Sequence, residues 1–152
     1  PGGGRGSVIL RPATVEDAQA VGALHHHTMR TSLPFLPDLH TKQETVAFVE
    51  TQVLPANIVW LAEADGEVAG YIAFDAEWIH HLYVHPTRQG QGIGPVLVAK
   101  ALADSRPRQL WTFQANGRAR RFYEARGFTA LRFTDGACNE ERTPDVLYEW
   151  RP

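Results

Sequence analysis

Between residues 85 and 94 the chain reads His85-Pro86-Thr87-Arg88-Gln89-Gly90-Gln91-Gly92-Ile93-Gly94, leaving an apolar run and entering a helical pattern. Glycines there let the backbone adopt positive φ and let the oxygens of an anion approach the amides closely. The free N–H groups of the helical turn that follows, at the positive end of its dipole, form an anion site that needs no side-chain charge. Pro95 is harmless in that turn, because its missing N–H would be unpaired anyway. The chemistry suggested is the holding of phosphate. Two common phosphate loops do not fit: Gly94 is followed by Pro95 rather than by Lys-Ser/Thr, and Gly-x-Gly-x-Gly is not the Gly-x-Gly-x-x-Gly of dinucleotide sites. A glycine-rich turn without a ligand is the alternative that the loop alone leaves open.

His25-His26-His27 invites a metal reading. Three consecutive helical residues face three directions and cannot jointly hold one ion, and neither His-Glu-x-x-His nor a cysteine pair occurs. No metal site is expected.

The elements that must position the loop follow from the pattern. Val8–Arg11 reads as a strand ended by Pro12. Thr14 caps a helix with Val15, Ala18, Val21 and Leu24 as its apolar stripe. Leu33-Pro34-Phe35-Leu36-Pro37 breaks regular structure. A second helix starts at Thr41, spaced from Glu44 as a capping box, and carries Val46, Phe48, Val49 and Val53 until Pro55 stops it. Ile58–Glu63 and Glu67–Phe74 flank Asp65-Gly66, a hairpin signal, and Glu77–Val84 is the next strand. A helix over about Gly92–Ala103 then leads to strand Gln109–Phe113, a crossover that makes those two strands parallel. A helix over about Arg118–Arg126 closes at Gly127, and Phe128–Thr134 and Val146–Trp150 are the last strands. The order changes from hairpins to a crossover at Glu77–Val84, where sheets leave a crevice for ligands. The glycine loop falls at that point.

Composition narrows the function classes. The chain has 152 residues, enough for one core. Residues 1–7 read as a flexible lead-in and 8–152 as one domain. A net charge of −2 and a pI near 6.4 provide no overall basic field for nucleic acid. No apolar run reaches the roughly 18 residues that a membrane span needs, and the start lacks the pattern of a secretion signal. Cys138 is the only cysteine, which excludes an internal disulfide and suits the cytoplasm. A homodimer is left open.

The loop, read as Gln-x-x-Gly-x-Gly at Gln89, Gly92 and Gly94, resembles the pyrophosphate loop of the GCN5-related N-acetyltransferase (GNAT) family. Leu82-Tyr83-Val84-His85-Pro86 is similar to the strand that precedes that loop, and Val96-Leu97-Val98 to the helix after it. Downstream, the run from Asn116 to Phe128 resembles the family's Asn-x-x-Ala-x-x-Phe/Leu-Tyr-Glu-x-x-Gly-Phe signature position for position. The resemblance implies an α/β (α+β) GNAT acyl-CoA N-acyltransferase fold. That fold has a seven-stranded, mostly antiparallel sheet with parallel, splayed strands 4 and 5 and about four helices.

The same resemblance implies acetyl-CoA as acetyl donor. Its pantetheine arm would pair with backbone groups of Leu82 and Val84, and its pyrophosphate would rest on amides of Gln89, Gly90, Gln91, Gly92, Ile93 and Gly94. Asn116 would contact the pantetheine end. Arg88, Arg118, Arg120 and Arg121 form a basic patch, of which one or two could reach phosphate while the rest form a solvated helix face. Tyr123 matches the position that protonates the leaving thiolate, with a packed core ring as its structural alternative. A backbone N–H near Val84 would hold the oxyanion. His80, two residues before Leu82, is expected on the Leu82 and Val84 face of the strand, where some relatives keep a histidine base. His81 is the second choice, and a strand histidine with a purely structural role is equally open. Trp111 stands where other relatives carry a glutamate base.

Relatives bind the acceptor between the first two helices and the last strands. Phe35, Glu77 and Glu140 are the expected acceptor contacts, with Leu33, Leu36, Asp38, Glu141, Asp145, Trp78 and Tyr83 as further candidates. The implied activity is direct acetyl transfer to a primary amine of a small molecule or amino-acid derivative. The alternatives are a protein N-acetyltransferase, a non-catalytic acetyl-CoA-binding module, and a nucleotide-binding enzyme using the glycine loop.

Overall fold

A computed structural model describes residues 8–152; the lead-in expected at residues 1–7 lies outside them. Strand β1 (Ile9–Pro12) runs along a sheet edge, where a terminal proline costs no ladder bond. Thr14 caps a short 3-10 turn, Val15–Asp17, which feeds α1 (Ala18–Ser32). Arg11 joins this corner, reaching Asp17 and Glu63 at 2.7 Å each.

The capping box at Thr41 is present. Glu44 N donates to Thr41 Oγ1 at 3.1 Å, and Thr41 N donates to Glu44 Oε1 at 2.8 Å. Helix α2 (Lys42–Phe48) does not end at Pro55, as the sequence led us to expect. It passes through a π turn (Val49–Val53) into α3 (Leu54–Ala56), with Pro55 inside the last turn. The wider turn sends the Leu54 amide to the Val49 carbonyl. That shift moves the hydrogen-bond register ahead of the proline ring. Helices α1 and α2 cross closely at Gly22, where a Cβ would lie 2.6 Å from Val46 Cα.

Strands β2 (Ile58–Ala64) and β3 (Glu67–Phe74) join through Asp65 and Gly66, both at positive φ (54° and 78°), which suits a type I′ turn. There follow β4 (Ile79–Val84), α4 (Ile93–Leu102), β5 (Arg108–Phe113), α5 (Gly117–Ala125), β6 (Thr129–Thr134) and β7 (Asp145–Trp150). The strands pair antiparallel in the orders β1-β2-β3-β4 and β5-β7-β6. One parallel bridge, Trp78 to Gln109, joins the two groups, and the Gln109 amide bonds the Glu77 carbonyl at 2.9 Å. Beyond that bridge no backbone pairing links β4 to β5 among the described residues. This is the splayed, mostly antiparallel seven-strand arrangement that the resemblance implied.

Alternation along β3 divides the core. Tyr71 and Ala73 face α1 and the π turn and pack with Val21, Leu24, Val49 and Val53. Ile72 and Phe74 face the other layer, with Ile93, Leu97, Leu110 and Tyr123. Each such large side chain contributes roughly 1.5–3 kcal/mol when fully buried. Two residues expected in the apolar stripes stay outside: Val15 is 60% exposed and Phe48 46%. Val15 sits in the 3-10 turn before α1 begins, and Phe48 borders a cavity described below. No described helix is long and apolar enough to cross a membrane.

Candidate active site

Strand β4 presents an open edge. The His85 amide bonds the Ala69 carbonyl at 2.8 Å, and the register continues as Tyr83 to Tyr71 and His81 to Ala73. In an antiparallel ladder alternate residues exchange hydrogen bonds. His81, Tyr83 and His85 therefore direct their backbone groups to β3, while Leu82 and Val84 direct theirs into the gap before β5. Gln89 marks that direction, donating from Nε2 to the Val84 carbonyl at 3.2 Å and to Ser32 Oγ at 3.3 Å.

The glycine loop follows a 3-10 turn, Pro86–Arg88, capped by His85 Nδ1. Gly90 and Gly92 have φ of 79° and 86°, and a Cβ at either would meet nothing within 4 Å. Gly92 is the N-cap of α4. Among the described residues no protein acceptor takes an amide from Gln89 to Gly94. Gly94 serves a different need, since a Cβ there would lie 3.1 Å from the Phe122 ring. Its bareness lets α4 and α5 approach. Gln91 turns its side chain back to the Thr87 carbonyl, and Ile93 is buried in the core, so only their backbones can serve an anion.

Loop and open edge border one cleft of about 550 Å³, together with Leu82, Val84, Asn116 and Tyr123. Asn116 caps α5, accepting the Ala119 amide at 3.2 Å. Tyr123 is 7% exposed, its ring 5.2 Å from Phe128 and 5.3 Å from Phe122. Burial first, and the neighbouring Tyr83 second, push its hydroxyl well above the ordinary tyrosine range, so it keeps its proton. The four tyrosines divide into two pairs. Tyr71 bonds His25 and His81, and Tyr148 bonds Glu124 and Arg120, whereas Tyr83 and Tyr123 bond no protein group among the described residues.

A second cavity, about 530 Å³, opens on the α1–α2 side and includes His25, His80, His81, Trp111, Glu140 and Glu141. Of the expected acceptor contacts, Glu140 is here, bonded to His40 at 2.5 Å across its mouth. That bond raises the His40 imidazole above its usual value. Phe35 and Glu77 are not brought to it. Phe35 packs edge-on to Phe113 at 6.2 Å, and exposed Glu77 supports the strand bridge with its backbone.

His80 departs from the expected face. A register shift opposite Ala73 and Phe74 interrupts the alternation, so Ile79 and Leu82 share the core side while His80 borders the second cavity beside His81. A bulge rotates the residue it inserts. His80 Nε2 bonds Asp75 Oδ2 at 2.8 Å. Burial pushes the Asp75 carboxyl up, but His80 and the amides of Glu77 and Trp78 together outweigh it and hold Asp75 below its usual range. Beneath, Tyr71 Oη lies 2.7 Å from His25 Nδ1 and 2.9 Å from His81 Nδ1. One hydroxyl has one proton, so one histidine accepts it while the other donates. Burial, then neighbouring histidines, lower His25 to about 4 and His81 to about 3.

Of the basic patch, Arg118 lines the first cleft; Arg88 pairs with Asp65 at 2.7 Å and Arg120 with the Tyr148 hydroxyl at 3.0 Å. Sequence reasoning missed Arg126, which lines the cleft with its guanidinium 3.9 Å over the Phe122 ring. It also missed Thr28 on α1, a cleft residue whose buried hydroxyl has no partner among the described residues. The helical spacing of Thr28 and Ser32 was the available signal.

Comparison with known proteins agrees with this geometry. The acetyltransferase (GNAT) domain model matches residues 55–130, half of the chain. An uncharacterized N-acetyltransferase of Archaeoglobus fulgidus is 41% identical over 81 residues, 43% of this chain and 55% of that protein. The L-amino acid N-acyltransferase MnaT of Escherichia coli is 26% identical over 108 residues, 64% of this chain and 62% of that one. The chain thus spans less than two thirds of either curated relative. The paia N-acetyltransferase of Thermoplasma acidophilum, solved in complex with coenzyme A, superposes with a TM-score of 0.75 over 96% of this chain and 99% of that one. At 16% identity that likeness speaks to fold alone. With a matching family model over half its length and the family's fold throughout, the chain belongs to the GNAT acetyltransferase family.

Proposed function

We propose that the protein is an N-acetyltransferase that takes its acetyl group from acetyl-CoA and passes it directly to the primary amine of a small molecule, in particular an amino-acid derivative. One observation carries the reading: an open strand edge leads from a loop of unpaired amides to a protonated tyrosine with no protein partner. The amides of Gln89 to Gly94 suit a pyrophosphate, because Gly90 and Gly92 leave room where a side chain would stand. The backbone groups of Leu82 and Val84 suit the amides of a pantetheine arm, as an added strand would. The relatives support the acceptor class, since one of them is named as an L-amino acid N-acyltransferase.

Acetyl-CoA, when bound, supplies a thioester-activated carbonyl carbon. The Val84 N–H, directed into the gap, is the backbone donor for charge that gathers on the carbonyl oxygen. The acceptor's ammonium first gives one proton to water past His80; the neutral amine then forms the carbon–nitrogen bond as the carbon–sulfur bond breaks, Tyr123 gives its proton to the sulfur, and the proton then shed by the nitrogen returns to Tyr123 through water. Net, one proton moves from nitrogen to sulfur. Glu140 and Glu141 attract the ammonium form of the acceptor to the second cavity. The lone exposed Cys138 fits a reducing setting, and we assign the cytoplasm.

The test follows free thiol while acetyl-CoA is mixed with amino acids, small amines and peptides. Thiol release with amino-acid-like amines is expected. Tight binding without release on any amine would instead identify a non-catalytic module, and release on peptides alone a protein acetyltransferase.

A further inference from the structure

The thioester cleft and the second cavity are lined by different residues, with one exception: Tyr83 borders both. Under the proposed function the donor lies in the first space and the acceptor in the second, so the reacting atoms must meet at the wall that the two share. That wall is the Tyr83 side chain. Its ring is fixed, 4.4 Å from His25 and 5.8 Å from both Tyr71 and His81. That packing requires only the ring; a phenylalanine would satisfy it. The hydroxyl is the unexplained part, because it bonds no protein group among the described residues while Tyr71 beside it is saturated by two histidines. Tyr83 is half-buried, and at the junction of a donor and an acceptor space a hydroxyl free of protein partners is placed to meet a substrate atom.

We propose that Tyr83 is a further catalytic residue, whose hydroxyl donates a hydrogen bond to the acyl carbonyl oxygen and strengthens that bond as negative charge gathers there. Burial, and after it the nearby Glu141 carboxylate, keep this phenol protonated, so it acts as a donor and not as a base. The bond changes are those of the transfer above: nitrogen to carbon formed, carbon to sulfur broken, the sulfur protonated by Tyr123. Tyr83 exchanges no proton and returns unchanged.

The inference rests on the proposed acetyl transfer, and one pair of measurements separates the two. Acetyl-CoA isotopically labelled at the thioester carbonyl is bound to the wild-type protein and to Tyr83→Phe, and the carbonyl stretch is read by difference infrared spectroscopy. The expected result is a lower stretching frequency in the wild type, lost in the variant while binding persists, together with a fall in kcat of about 10²-fold. A fluorotyrosine installed at position 83, a stronger donor, is expected to lower the frequency further, and it decides the matter if the phenylalanine variant fails to fold. A carbonyl frequency unaffected by either change overturns the role of Tyr83 and leaves the transferase reading in place. Failure of the wild type to bind acetyl-CoA at all overturns both.

Discussion

Trp78 and Gln109 form the one parallel bridge between the two groups of strands among the described residues, and the gap beside β4 opens from that point. The Gln109 amide, 2.9 Å from the Glu77 carbonyl, is the backbone tie at the apex. Gln109→Pro deletes this donor. It is expected to cost about 1–3 kcal/mol of stability, seen as a lower melting temperature, and to weaken coenzyme A binding in calorimetry. A destabilised variant with full affinity would show that the bridge does not set the width of the gap.

Tyr123→Phe removes the proposed acid and little else, because the ring keeps its packing on Phe122 and Phe128. Turnover is expected to fall by ~10²-fold or more with coenzyme A affinity nearly unchanged. Unaltered turnover removes Tyr123 from the chemistry.

The loop makes two separable demands. Gly92→Ala meets only conformational strain at φ 86°, since no atom lies within 4 Å of the new Cβ, and a cost of order 1–3 kcal/mol to stability is expected. Gly92→Asp adds a negative charge where pyrophosphate is placed, so coenzyme A affinity should drop much further than in the alanine variant. Equal affinities in the two folded variants would count against the anion site.

His80 is tested with its partner. His80→Gln is expected to lower kcat/KM by about 10²-fold, and Asp75→Asn, which removes the carboxylate that holds the imidazole, to lower it by a smaller factor. A kcat/KM that neither change lowers would leave His80 as a strand histidine satisfied by Asp75.

Stability should fall with acidity. His25 and His81 titrate at about 4 and about 3 in the folded chain, against ~6.5 when unfolded. Across that window the unfolded chain binds protons that the folded chain refuses, so stability present above pH ~6.5 is lost as pH falls towards these values. His40, raised by Glu140, works in the opposite sense, contributing below its unfolded value and losing that contribution as pH rises through its folded one. Its exposure makes this small. Melting temperature is therefore expected to drop from about pH 7 to about pH 5, with a shallower slope in His25→Asn. An equally steep slope in that variant would assign the loss elsewhere.

Local chemistry was legible wherever a short pattern decides structure. Thr41 with Glu44, and Asp65 with Gly66, formed the cap and turn that their types require. Ala18, Val21 and Leu24 went inside as their spacing demanded. The sequence pattern failed where one residue of insertion changes direction. The π turn admitted Pro55, and the bulge beside Ala73 turned His80 to another side. Neither leaves a signal in residue types, because both depend on what the neighbouring strand or helix permits. Tyr83 was a candidate acceptor contact from the sequence, but its place between two cavities was not legible, because which spaces share a ring depends on how the elements pack.

The most direct test of the anion site and the open edge is an amide NMR titration with coenzyme A. Large shifts are expected for the amides of Gly90, Gly92, Gly94 and Val84, with smaller ones along β6. Saturable binding that leaves these four amides unmoved would contradict the account.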